Sequence, residues 1–198
     1  MTSVVGVLLA AGAGRRFGGP KALARDDDGT SWLLRSVQAL GPCAEIVVVL
    51  GAEAERAAAL LPMSVARIRA DDWADGMGAS LRSGLTALAE TSHDAALVSL
   101  VDLPDVDAAV VARLAAAAGG PDVLARAAYD GVPGHPVLLG RDHWAGVVET
   151  ASGDRGARDY LAAHEVALVE CGDLATGVDV DHRPGAVAHP TSGQRPWS

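Results

Sequence analysis

Positive charge is in short supply: 16 Lys+Arg against 25 Asp+Glu give the 198-residue chain a formal net charge of -9. That balance argues against a protein that grips nucleic acid through a broad basic face, yet it leaves room for a small, locally basic anion site. Cysteine is scarce as well. Cys43 and Cys171 stand far apart, which argues against a disulfide framework and against a cysteine metal cluster. Aromatic residues are only 4% of the chain, so a core must be built mostly from Ala, Val and Leu. The apolar run Val4–Ala11 is far shorter than the ~20 residues that span a bilayer, and no basic flank precedes it. No membrane association and a cytoplasmic location are therefore expected. With 49% hydrophobic and 21% charged residues, the body of the chain does not have the composition of a disordered protein.

Strand-length apolar runs alternate with helix-period stretches. Val4–Leu9 predicts a buried strand, because no polar residue interrupts it. Helices are predicted over Ser31–Leu40, Glu53–Leu61, Ser80–Glu90 and Asp105–Ala118, with strands over Ile46–Leu50, Val65–Ile68 and Ala95–Val101 between them. Such βα alternation predicts an α/β fold, a mostly parallel sheet with helices on both faces. After Gly120 the rhythm changes. Val123–Ala128 and Val137–Leu139 read as strands joined through a Gly/Pro-rich segment, Asp130–Pro136, which predicts an antiparallel insertion. Arg141–Thr150 and Ala157–His164 read as helices, and Val166–Glu170 as a last strand. One domain over residues 1–181 is expected, followed by a tail from His182 to Ser198 whose Pro, Gly and His content predicts partial disorder.

Ligands of open parallel sheets sit beyond the carboxyl ends of the strands, and four informative segments fall there. The first runs from Leu9 through Ala10, Ala11, Gly12, Ala13, Gly14, Arg15, Arg16, Phe17, Gly18, Gly19 and Pro20 to Lys21. Glycines let backbone N–H groups turn inward, and three cations add fixed charge, so the segment reads as a polyphosphate cradle. It is not a Walker A loop, because Pro20 separates the last glycine from Lys21 and Ala22 follows. Nor is it a dinucleotide fingerprint, which would need glycine where Phe17 stands. In the second segment, Trp73–Leu85, Ser80 stands at the start of the predicted helix, as a cap or as a ligand contact. The third, Val101-Asp102-Leu103-Pro104, places a carboxylate at a strand end, either as a turn or cap residue or as a ligand for a divalent cation beside phosphates. The fourth comprises Gly134-His135-Pro136 and Gly153-Asp154-Arg155-Gly156-Ala157-Arg158. Asp26-Asp27-Asp28-Gly29 lacks the remaining ligands of a calcium loop and reads as a solvated turn. The other histidines show no zinc spacing.

Leu9, Ala10, Ala11, Gly12, Arg16, Gly18 and Lys21 together resemble the signature of the MobA-like nucleotidyltransferases, from Val4 to about Asp181. Two alanines before the first glycine, and the Trp73–Leu85 segment, are similar to the molybdenum cofactor cytidylyltransferase branch; the guanylyltransferase branch has Ala-Gly-Gly there. The resemblance implies a three-layer αβα fold with a Rossmann-like sheet of the glycosyltransferase-A type. It implies transfer of CMP from CTP to the terminal phosphate of a molybdopterin-type acceptor with release of pyrophosphate, and a molybdoenzyme as the receiver of the product. Arg16, Lys21 and Asp102 would be catalytic. Leu9, Ala10, Ala11, Gly12, Gly14, Arg16, Lys21, Ser80 and Asp102 would bind the nucleotide. His135 and Asp154 would contact the acceptor, and Asp102 with Asp181, or Asp179 as the fallback, would hold Mg²⁺. Rival readings are a GTP-using or sugar-nucleotide-forming transferase, an NAD(P)H enzyme like the nicotine blue oxidoreductases, and a non-catalytic cofactor-binding chaperone.

Overall fold

A computed structural model of the chain describes residues 2–181; the tail expected to be partly disordered, from residue 182 on, lies outside the described residues. Seven strands are present: β1 (Val4–Ala10), β2 (Glu45–Leu50), β3 (Ala66–Arg69), β4 (Ala95–Leu100), β5 (Leu124–Tyr129), β6 (Val132–Gly140) and β7 (Ala167–Glu170). The helices are α1 (Trp32–Ala39), α2 (Ala54–Ala58), α3 (Met77–Leu88), α4 (Ala108–Ala115), α5 (Arg141–Thr150) and α6 (Arg158–Ala162). The strands form one sheet in the order β3-β2-β1-β4-β6-β5-β7. Only β6 runs against the others, pairing antiparallel with both β4 and β5. The three-layer α/β architecture with an antiparallel insertion is thus observed.

Alternation along the strands sorts the apolar residues into two cores. Val4, Leu8 and Ala10 join Leu33, Val37 and Leu40 of the α1 region, Ala54 and Ala57 of α2, and Val111 and Leu114 of α4 on one face. Val5, Val7 and Leu9 meet Leu81 and Leu85 of α3, Trp144 and Val147 of α5, and Leu161 of α6 on the other. Every residue of β1 is buried, which explains its unbroken apolar run. From β1 the chain goes to β2 on one side, and only later to β4 on the other. The strand order therefore reverses at β1, and the carboxyl ends of β1 and β4 open a crevice there.

Three local expectations change. First, α3 begins at Met77, capped by Gly76, because the short 3-10 turn Trp73–Asp75 delivers the chain straight into the helix. Ser80 is therefore not a cap; it lies buried within the helix. Second, α4 is capped by Asp107, whose carboxylate accepts from the N–H groups of Ala109 (2.8 Å) and Val110 (3.3 Å), so the helix starts later than Asp105. Third, most of the Gly/Pro-rich segment is strand. Asp130 and Gly131, both at positive φ (51° and 79°), make a two-residue hairpin, and β6 starts at Val132. Only Val137–Gly140 of β6 pair with β4, so Pro133 and Pro136 lie outside the paired stretch and interrupt no ladder on that side.

Candidate active site

The glycine loop leaves β1 and folds back on itself. The Gly14 carbonyl accepts from Gly18 N–H (2.9 Å) and Gly19 N–H (3.1 Å), with Gly14 at φ +57°. A Cβ at Gly14 would lie 2.0 Å from the Gly19 carbonyl oxygen, so no other residue closes this turn. Phe17 is buried and packs against Trp32, ring centroids 5.0 Å apart, fastening the loop to the core. That anchoring leaves Arg15 and Arg16 exposed and feeds the chain into the 3-10 turn that seats Lys21. At the loop's root, the Ala11 carbonyl accepts from Ala52 N–H (2.9 Å) just past β2, and the Leu9 carbonyl from Val101 N–H (3.3 Å) just past β4, tying the end of β1 to both neighbours.

Lys21 and Asp102, 81 positions apart in sequence, meet here. The Lys21 ammonium donates to Asp102 Oδ2 (2.7 Å) and to Asp181 Oδ1 (3.2 Å). Burial alone would lower the pKa of Lys21, but its hydrogen bonds and charge pairing with Asp102, then Asp181, outweigh it and hold the pKa above 10.5. Its charge is fixed at neutral pH. Asp102 Oδ1, by contrast, is buried without a hydrogen-bond partner. Among the described residues, no three His, Cys, Asp or Glu side chains are grouped to hold a metal by themselves. A magnesium-type ion needs no such cage, since it takes one or two carboxylates and completes its octahedron with waters and substrate phosphates. The orphaned Asp102 Oδ1, beside Asp181, fits that donor set.

The surrounding cleft measures about 800 Å³. Leu9, Ala10, Ala11, Gly12, Gly14 and Arg16 of the loop line it, together with Ser80, Asp102, Asp179 and Asp181. Asp154 lines it too, carried on the 3-10 turn Gly153–Arg155. Gly76 and Gly78 let that turn press against the start of α3: a Cβ at either would fall 2.5–2.6 Å from the backbone of Gly153 or Ser152. His135 is not among the lining residues. It sits behind the wall, half-buried, with its pKa pushed down to about 4 by burial and by Arg126; Asp102 and Asp179 oppose that shift. At neutral pH it is an uncharged ring. The backbone beside it is clamped, since Tyr129 Oη donates to the His135 carbonyl (2.6 Å) and Arg126 Nε to the Gly134 carbonyl (3.1 Å). The Asp26–Gly29 segment is the turn expected: Asp28 accepts from Thr30 N–H (2.9 Å), and Asp26 from Trp32 Nε1 (2.6 Å).

Sequence reasoning missed Arg158, an exposed cation on the cleft wall. It belongs to the glycine-rich segment Gly153–Arg158, but nothing in the spacing sets this arginine apart from Arg155, which pairs with Asp159 four positions on. Trp73 and Met77 of the Trp73–Leu85 segment, given no role from the sequence, line the same cleft.

A switch-point cleft lined by a glycine–arginine loop, with a lysine bridging two carboxylates, offers the groups that a nucleotide-transferring α/β protein needs. Residues 6–168 match the MobA-like NTP transferase domain, and the chain belongs to that family. It is 38% identical over 195 residues to the nicotine blue oxidoreductase of Paenarthrobacter nicotinovorans, covering 90% of this chain and 92% of that one. It is 36% identical over 105 residues to a probable molybdenum cofactor guanylyltransferase of Rhodopirellula baltica, covering 52% and 50%. Among solved structures, a Mycobacterium sp. strain JC1 homolog of the M. tuberculosis protein Rv0371c superposes with a TM-score of 0.76 at 28% identity, covering 90% of each chain. A manganese complex of the M. tuberculosis protein shares the fold, with a TM-score of 0.73 at 23% identity over 90% of this chain and 94% of that one. No helix among the described residues is long and apolar enough to cross a membrane.

Proposed function

We propose that the protein transfers CMP from CTP to the terminal phosphate of a molybdopterin-type acceptor and releases pyrophosphate. One observation carries the reading: Lys21, at the end of a glycine–arginine loop, is hydrogen-bonded to both Asp102 and Asp181 in the wall of a cleft of nucleotide size. A phosphate monoester has a second pKa of about 6 and is largely dianionic at pH 7, so its attacking oxygen needs no general base. That oxygen forms a bond to the α-phosphorus as the bond to the bridging pyrophosphate oxygen breaks. Catalysis then reduces to alignment and charge neutralisation. Lys21 and Arg16 would meet negative charge on the α-phosphate and the departing pyrophosphate, and the loop N–H groups would hold the remaining phosphates. Asp102 and Asp181 would hold Mg²⁺, which supplies Lewis-acid charge to phosphate oxygens when bound. Asp154 would contact the acceptor. His135, behind the wall, would act on it through the backbone that Tyr129 clamps.

CTP is favoured over GTP by Ala11, whose methyl group narrows the start of the loop, where the guanylyltransferase branch has glycine. One methyl decides specificity by about 1–3 kcal/mol, roughly 10–200-fold. Pyrophosphate release with equal CTP, GTP and ATP and a molybdopterin acceptor tests the proposal. CTP is expected to win, and Ala11→Gly to raise GTP use; a wild-type preference for GTP or ATP overturns the cytidylyl assignment. The 38% identity to a nicotine blue oxidoreductase favours one other reading, an NAD(P)H enzyme. Cofactor titration in the same assay separates the two.

A further inference from the structure

Asp181 and Asp179 reach the cleft on a strap, residues 171–181, that follows β7 without forming a regular element. Its first part is tied down: Cys171 N–H donates to the Ala128 carbonyl (2.7 Å), and Arg113 on α4 pairs with Asp173 (2.9 Å). Its last part is exposed or half-exposed, and Asp181 is 53% exposed. What sets that last part in place lies between the two. Asp105 Oδ2 accepts from both Thr176 N–H and Thr176 Oγ1, each at 2.6 Å, and Thr176 Oγ1 in turn accepts from Val178 N–H (3.4 Å). One residue on, Gly177 turns at φ +64° over the Tyr129 ring, which a Cβ there would meet at 2.0 Å. Val180 N–H then donates to the Asp102 carbonyl (3.0 Å), and Asp181 reaches Lys21.

We propose that Asp105 and Thr176 are positioning residues that hold this strap, and with it Asp179 and Asp181, at Lys21 and Asp102. Asp105 is free for the task because Asp107, not Asp105, caps α4. It stands three residues after Asp102 on the same connection, and that connection is rigid: Leu103 and Val106 are buried in a small core with Tyr129 and Cys171. The reference point for the strap and the site carboxylate therefore move as one piece. Asp105 Oδ1 is buried without a partner, so the carboxylate is desolvated on one side and spends its acceptor strength on Thr176. Charge-assisted bonds of this kind are roughly twice as strong as neutral ones, which suits a clamp on an otherwise loose segment. Outer-shell partners that orient a metal-binding carboxylate typically set 10–100-fold in metal affinity.

The inference rests on the reading of Asp102 and Asp181 as metal ligands, and the test separates the two. Mn²⁺ binding to the full chain is titrated by electron paramagnetic resonance, and metal-free CTP binding by calorimetry. Thr176 is exposed, so Thr176→Val leaves the core alone. Thr176→Val is expected to weaken Mn²⁺ binding about tenfold and Thr176→Ser to restore it, while metal-free CTP binding stays constant in both. If Thr176→Val binds Mn²⁺ like the wild type while Asp181→Asn does not, the clamp is refuted and the metal site stands. Equal losses of Mn²⁺ and metal-free CTP binding in Thr176→Val refute it too, showing only general disorder of the cleft. Wild-type Mn²⁺ binding in both Asp102→Asn and Asp181→Asn removes the metal site and the clamp together.

Discussion

Replacing Lys21 with methionine keeps the aliphatic stem and removes the ammonium, and its two consequences can be sized from the geometry. The bond to Asp102, between side chains 14% and 16% exposed, is of the part-buried, charge-assisted kind that contributes about 1.5–3 kcal/mol. The bond to Asp181 is exposed on the carboxylate side and contributes about 0–1 kcal/mol. Together they predict a loss of roughly 1.5–4 kcal/mol, or a Tm lower by roughly 3–16 °C for a chain of this length. Because the folded pKa of Lys21 lies above 10.5, its contribution is fully present below that pH and is lost only as pH rises through the raised pKa. The gap between wild type and variant should therefore be flat from about pH 6 to 10. A divalent cation should narrow it, since two carboxylates left facing each other without Lys21 bind a cation more readily. On activity, losing one preorganised charge at a developing oxyanion costs about 10²–10³-fold in kcat. Stopped-turnover pyrophosphate assays at saturating CTP and Mg²⁺, beside thermal melts, measure both effects. Near-wild-type turnover in Lys21→Met refutes the phosphate-cradle reasoning, whatever the melting curve shows.

Asp102→Asn and Asp181→Asn should each reduce the rise in melting temperature that Mg²⁺ gives with CTP present, Asp102→Asn more, since Asp181 is the more exposed of the two; an unchanged Mg²⁺ response in Asp102→Asn removes it from the site. Gly14→Ala should weaken CTP binding and cost about 1–3 kcal/mol, because its Cβ meets the Gly19 carbonyl at 2.0 Å in a left-handed turn; calorimetry with CTP and a denaturant titration check this. His135, with its pKa depressed from 6.5 to about 4, stays neutral when folded while the unfolded chain takes up its proton. Stability should consequently fall as pH drops from about 6.5 toward 4, with a shallower slope in His135→Gln, and melts across that window would show it.

Local signals marked the loop that lines the cleft. Leu9 to Lys21 is one contiguous stretch whose glycines and cations stand out together, and the unbroken apolar run of β1 places it at a strand end. The other residues are assembled from afar: Asp102, the stretch carrying Asp154 and Arg158, and Asp181 come from three separate parts of the chain, and no periodicity links them. Ser80 misled because a hydroxyl before a leucine pattern looks like a cap, whereas Gly76 and the 3-10 turn before it start α3 earlier. The start of α4 differs likewise: the carboxylate of Asp107, two positions after Asp105, accepts the N–H groups that open the helix. The β6 prolines read as a loop signal, whereas the pairing of β6 with β4 stops at Val137 and leaves both prolines outside that ladder.

The transferase reading and the oxidoreductase name of the 38% relative place different demands on the same cleft. Both ligands carry a pyrophosphate, so the glycine loop, Arg15 and Arg16 serve either one and cannot discriminate. The carboxylates can. Hydride transfer moves no phosphoryl group and has no use for two aspartates converging on the lysine beside the phosphate loop; near a dinucleotide's phosphates they would repel it. In-line displacement at phosphorus needs that arrangement, because a divalent cation held there offsets charge on the α-phosphate and on the leaving pyrophosphate. Asp102 Oδ1, desolvated and without a hydrogen bond, is the sharpest form of the argument: such an atom costs stability unless a ligand satisfies it. An NAD(P)H enzyme should therefore gain affinity for its cofactor when Asp102 becomes asparagine, as the repulsion is relieved. A nucleotidyltransferase should lose the Mg²⁺ dependence of CTP binding in the same variant, and the two titrations on one protein decide between them.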